Sequence, residues 1–147
     1  MKIGLIVNPM AGIGGSAALK GSDGKEIQKL AIERGAKPKA NERAKEVFEI
    51  LKSENSLPEI VSAPGVMGSD MLNSLGIKHK VVGHIKEETS GEDTTEIARE
   101  ILKENVDLIV FAGGDGTARN IYDAVKDSLP VVGIPAGTKM HLSLIHI

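Results

Sequence analysis

The chain has 147 residues, with 18 basic and 20 acidic side chains and a formal net charge of −2. That length suits one ordinary domain that buries a real core without a disulfide or metal staple. The charge balance excludes a strongly basic nucleic-acid binder and leaves no electrostatic footprint for a membrane surface. The only aromatics, Phe48, Phe111 and Tyr122, are too few for a single-strand stacking platform, and the absence of Cys removes thiolate zinc sites, disulfides and a cysteine nucleophile.

The N-terminal run 3–7 is short and apolar and meets Asn8-Pro9 rather than a small-residue cleavage site, so it reads as a buried strand and not a signal peptide. Residues 14–39 are polar and Gly-rich with no strand pattern, a length more often functional than merely connecting. Residues 40–53 read as a helix, because Ala44, Val47, Phe48 and Leu51 recur at spacings of three and four. Pro58 breaks the chain before a short strand at 59–62. Residues 69–75 form a short predicted helix, with Ser69 as N-cap and Gly76 as the C′ residue. A weak strand covers 79–82 and a helix 92–105, with Ile97, Ile101 and Leu102 on one face. The most apolar strand is 107–112. A helix follows at 117–126, carrying Ile121, Ala124 and Val125, and the last strand is 131–134 between Pro130 and Pro135.

This alternation, with unbroken apolar strands, predicts an α/β fold with a parallel sheet covered by helices on both faces. Ligands of such sheets bind at the carboxyl ends of strands. No apolar run approaches the roughly 18 residues of a membrane span, and the expectation is a cytoplasmic protein without nucleic-acid or membrane partners.

Glycine is in excess, about 12% against an ordinary ~7%. The excess sits after strands. Gly12-Ile13-Gly14-Gly15 follows the first, Gly113-Gly114-Asp115-Gly116-Thr117 the most apolar, and Gly133-Ile134-Pro135-Ala136-Gly137 the last. A strand-Gly-helix junction lets a phosphate approach the backbone and meets it with free N–H groups and a helix dipole. Three glycines around a carboxylate exceed what a plain turn needs, which singles out Asp115. Gly24-Lys25-Glu26 is not a P-loop, since no Ser or Thr follows the Lys. The literal GxGxxG/A at 12–17 lacks the second strand ending in an acid that a dinucleotide fold requires. Arg119, early in the helix after the motif, either reaches a phosphate or stands as a solvated surface side chain; Asn8, ending the first strand, either orients a phosphate or ribose hydroxyl or marks an Asn-Pro turn. Asp93 reads as a helix-start acid that complements the dipole. His79, His84, His141 and His146 have no metal-ligand spacing.

Gly113 to Thr117 after an apolar strand, paired with Asn8-Pro9, resembles a kinase superfamily of NAD kinases, lipid kinases of the diacylglycerol and sphingosine type and, more distantly, phosphofructokinases. Within it the chain is most similar to the ATP-NAD kinase family, in the branch that includes protein X of acetoin catabolism. That likeness adds Leu19-Lys20-Gly21-Ser22-Asp23-Gly24, Ala63-Pro64-Gly65-Val66-Met67-Gly68, Glu92-Asp93-Thr94 and the run from Gly133 to Met140. The resemblance implies a Rossmann-like N-terminal domain and transfer of phosphate from ATP, with Mg²⁺ accompanying the nucleotide, to the 2′-hydroxyl of NAD. It implies Asp115 as the catalytic base. The nucleotide and phosphate contacts are then Asn8, Gly12, Gly14, Gly113, Gly114, Gly116, Thr117, Arg119 and Lys139. It further implies a homo-oligomer. The family continues into a mostly β domain that this chain does not contain, and His141 to Ile147 departs from the family's continuation. The expectation is therefore a nucleotide-binding domain at 1–140, a non-native tail at 141–147 and a truncated chain, inactive alone. Two other readings stand beside it. A diacylglycerol-type lipid kinase should carry a Glu-Val-Asn run where Ala118-Arg119-Asn120 stands. A non-catalytic nucleotide-binding module needs only the phosphate cradle.

Overall fold

Strand β1, Lys2–Val7, is the middle of a five-stranded sheet. The computed structural model describes residues 1–9, 40–84 and 91–135. Its other strands are β2 (Glu59–Ser62), β3 (Lys80–Val81), β4 (Leu108–Gly113) and β5 (Val131–Pro135). Its helices are α1 (Ala40–Ser53), α2 (Ser69–Ser74), α3 (Gly91–Leu102) and α4 (Asp115–Val125), with a 3₁₀ turn at Gly65–Met67. All pairings are parallel, and the strand order is β3-β2-β1-β4-β5.

The central strands β1 and β4 are apolar along nearly their whole length because both faces are covered. In β1, Ile3, Leu5 and Val7 pack with Ala40, Ala44 and Phe48 of α1 and with Met71 and Leu72 of α2. Ile6 faces the other way, into a cluster with Ile97, Ala98 and Ile101 of α3 and Ala118, Ile121 and Val125 of α4. β4 alternates in the same way. Ile109 and Phe111 face α3 and α4, whereas Leu108, Val110 and Ala112 face α1. The register Ile3↔Leu108 and Leu5↔Val110 keeps the two alternations in phase, as a period of two requires. Gly4 lets α3 come close, since a Cβ there would run into the Ile101 side chain.

Several boundaries differ from the expectation, each for a local reason. β3 holds two residues rather than four. It is an exposed edge strand, and after Val82 N–H bonds Ser62 C=O at 3.0 Å the chain turns away at Gly83, with φ +84°. Short edge strands also resist pairing with other chains. In α2 the cap is Gly68, at φ 150°, not Ser69. Ser69 is the first helical residue and its hydroxyl lies 2.8 Å from His79 Nε2. Gly76 occupies the expected C′ place, with φ +69°. The 92–105 helix begins at Gly91 and ends at Leu102, after which Asn105 takes a left-handed φ of 58°. The strand read as 107–112 is shifted by one, to Leu108–Gly113. The Asp107 carboxylate instead accepts the Lys2 N–H at 2.8 Å.

Lys80 of β3 pairs with Glu104, just past α3, at 2.5 Å. The hydrogen bond from Lys80 holds the Glu104 carboxyl below its ordinary 4.5, against a desolvation cost. The folded state therefore binds this proton less readily than the unfolded chain. The stability it adds is present above the unfolded value and is lost as pH falls through the folded one. Lys80→Met should lower stability slightly near neutrality, by no more than an exposed pair is worth, and change nothing well below the folded value. Denaturant unfolding at neutral and at acid pH checks this, and an equal loss at both would contradict it.

Candidate functional site

From β1 the chain builds β2 and β3 to one side, then returns to build β4 and β5 on the other. The strand order therefore switches between β1 and β4, and ligands of open parallel sheets bind in the crevice beyond the carboxyl ends at such a switch. Asn8 and Gly113 stand at those two ends. Asn8 N–H bonds Ala112 C=O at 2.9 Å, one step past the ladder pair Val7↔Ala112.

Gly113-Gly114-Asp115 makes the passage from β4 into α4. The sequence pattern starts this helix at Thr117, whose hydroxyl suits an N-cap. The helix in fact begins at Asp115, and Gly114 is the cap, extended at φ −109° and ψ −162°. Ala118 N–H reaches back to Gly114 C=O at 3.1 Å and closes the first turn. Asp115 thus sits in the first turn of α4, half-buried, where the helix dipole favours a negative charge. Arg119 is exposed and follows four residues later, so both side chains rise from one face of the helix.

Thr117 is buried, at 4% exposure, rather than open to solvent. Asn8 Nδ2 donates to its Oγ1 at 3.1 Å across 109 residues of sequence. A Cβ on Gly113 would lie 2.5 Å from Thr117 Oγ1 and 2.9 Å from Thr117 Cβ. Glycine at 113 is therefore required by the seat of Thr117, a steric reason internal to the protein. Gly113→Ala should cost about 1–3 kcal/mol through overpacking. A thermal melt would show this as a fall of several degrees in Tm, and an unchanged Tm would refute the steric account. Gly114 and Gly116 are half-buried on either side of Asp115.

Gly12, Gly14 and Lys139, with Lys20 and Asp23, lie outside the described residues. The described members of the predicted set, Asn8, Gly113, Gly114, Asp115, Gly116, Thr117 and Arg119, come from the ends of β1 and β4 and the first turns of α4.

Two features escaped the sequence reading. Asp93, read as a plain dipole-complementing acid, is only 2% exposed, and Thr94 beside it 4%. They lie in the first turn of α3, which starts at the same carboxyl edge. The Thr95 hydroxyl donates to Asn120 C=O at 3.2 Å and fastens α3 to α4. The Glu92-Asp93-Thr94 segment was the available signal. The second feature is His79. Its Nδ1 lies 2.8 Å from Ile77 C=O and its Nε2 bonds Ser69, beside a groove of about 620 Å³ at the outer edge of β3. Intervening β2 separates that groove from the crevice.

Among the described residues, no three His, Cys, Asp or Glu side chains gather as a metal site. A divalent ion that keeps most of its waters and is carried by phosphates needs no such cage, and a single nearby carboxylate such as Asp115 suits it. No helix among the described residues is long and apolar enough to cross a membrane.

No curated protein matches the chain at a significant level. One family model does, and it covers nearly the whole sequence. By that match over residues 3–147, the chain belongs to the family described as the ATP-NAD kinase N-terminal domain.

Proposed function

We propose that this domain serves the transfer of the γ-phosphoryl group of ATP to the 2′-hydroxyl of NAD, with Asp115 as the general base. Family membership supports a kinase-type function. The observation that carries the finer reading is the position of Asp115, in the first turn of α4 at the β1/β4 switch point and flanked by Gly114 and Gly116.

Phosphoryl transfer asks a protein mainly for positioning and charge neutralisation. Asp115 takes the proton from the attacking hydroxyl as the new O–P bond forms, and ADP leaves with the electrons of the broken bond. Small flanking residues let phosphate oxygens come near the backbone, and the α4 dipole attracts them. Arg119 supplies a charged donor for a phosphate oxygen. Gly12, Gly14 and Lys139 complete the phosphate contacts in this reading. Mg²⁺ arriving with ATP would neutralise developing charge, and Asp115 is a carboxylate suited to hydrogen-bond its waters. We place the chain in the branch of the acetoin-catabolism protein X on the segments that carry that likeness. A cytoplasmic homo-oligomer is part of the same proposal.

The test is a turnover assay of the intact protein with ATP and a panel of acceptors: NAD, NADH, other nucleosides and diacylglycerol. Phosphorylation of NAD at a rate well above the others supports the reading. Preference for the lipid would replace it with the lipid-kinase alternative, and nucleotide binding without turnover would replace it with a regulatory module.

A further inference from the structure

We infer that Asn8 is a positioning residue, which acts through Thr117 and fixes the catalytic turn across the switch-point crevice; its link to turnover rests on the kinase reading above. Three observations converge. The Asn8 amide donates to Thr117 Oγ1 at 3.1 Å, while its backbone N–H continues the β1–β4 ladder to Ala112 at 2.9 Å. Both ends of Asn8 are therefore engaged with the β4–α4 junction. Thr117 is buried, and its hydroxyl occupies the space that a Gly113 side chain would need. Asp115 lies between those two residues, so the turn that carries it is held from the strand side by Gly113 and from the helix side by Thr117.

Gly113, Gly114 and Gly116 contribute no side chains, and glycine-rich backbone has many conformations to lose. Of the side chains nearest Asp115 in sequence, Thr117 is buried and Arg119 exposed. The Asn8–Thr117 bond thus supplies order where the sequence supplies freedom. Its partners come from the end of β1 and the first turn of α4, so it ties the two together beside the crevice. A small misplacement of a reacting group has a large kinetic cost.

The experiment is a double-mutant cycle on the intact protein with Asn8→Ala, Thr117→Val, their combination and Thr117→Ser. Each is read by kcat, by KM for the nucleotide, and by hydrogen exchange of the amides in the first turn of α4. The inference expects each single variant to lose about 10- to 100-fold in kcat with KM nearly unchanged. The double variant should be no worse than either, and Thr117→Ser should recover most of the loss because it keeps Oγ1. Exchange at the first turn of α4 should quicken alike in both singles and the double. Multiplying losses, or a raised nucleotide KM at unchanged kcat in Asn8→Ala, would put the Asn8 amide on the ligand and overturn the inference. Unchanged exchange in every variant would also overturn it. The exchange arm needs no turnover, so it separates failure of this inference from failure of the proposed activity.

Discussion

Asp115→Asn is expected to lower turnover by about 10²- to 10⁴-fold, the usual contribution of a positioned general base. Nucleotide affinity should stay within a few-fold. Asn keeps the size and much of the hydrogen bonding of Asp but cannot take the proton of the attacking hydroxyl at neutral pH. The fold should tolerate the change, because Asp115 is half-buried at a helix start, Asn has the same size, and the dipole interaction of the charge is about 0.3–1 kcal/mol. Parallel measurement of kcat and equilibrium nucleotide binding decides the matter. Equal turnover in the variant and the parent would remove Asp115 from the chemistry.

The largest effect on stability is expected at Phe111. It is fully buried in β4, among the residues that face α3 and α4. Phe111→Ala should cost about 3–5 kcal/mol through lost transfer energy and the remaining cavity. Whole domains are stabilised by only about 5–15 kcal/mol, so one such change takes a large share. Phe111 also pairs in register with Ile6 and Gly133 and lies two residues before Gly113, so a cavity there should loosen the strand that leads into the Asp115 turn. Tyr122→Ala, at a ring 37% exposed on α4, should cost much less. Denaturant unfolding of both variants tests the contrast; equal midpoints would mean that Phe111 is not central to the core.

Parallel buried strands announced themselves in the sequence, because Ile3 to Val7 and Leu108 to Ala112 are apolar without interruption. The helix faces were equally legible, from the spacing of Phe48, Ile97, Ile101 and Ile121. Caps were harder. Ser69 and Thr117 have the side chains of good N-caps, yet in each case a preceding glycine takes that position and the hydroxyl is used for a tertiary contact. Propensity yielded to packing at both places. Burial of Asp93 could not be read either, since a helix-start acid looks the same whether the helix end faces water or a neighbour. The same limit applies at the site. Asp115 stood out through its glycines, but the partner of Thr117 lies 109 residues away, and no local pattern reports it. Gly113 illustrates the other half of that limit. Its sequence context spoke for a phosphate, whereas its lack of a Cβ makes room for Thr117.

Phosphorus NMR of the product formed by the intact protein from NAD and ATP decides whether a carboxylate at the β1/β4 switch point drives phosphate onto the NAD ribose, as proposed. A single new phosphomonoester at the adenosine 2′ position is expected, formed far more slowly by Asp115→Asn. A phosphate placed elsewhere, or the same product formed equally well by the variant, would contradict it.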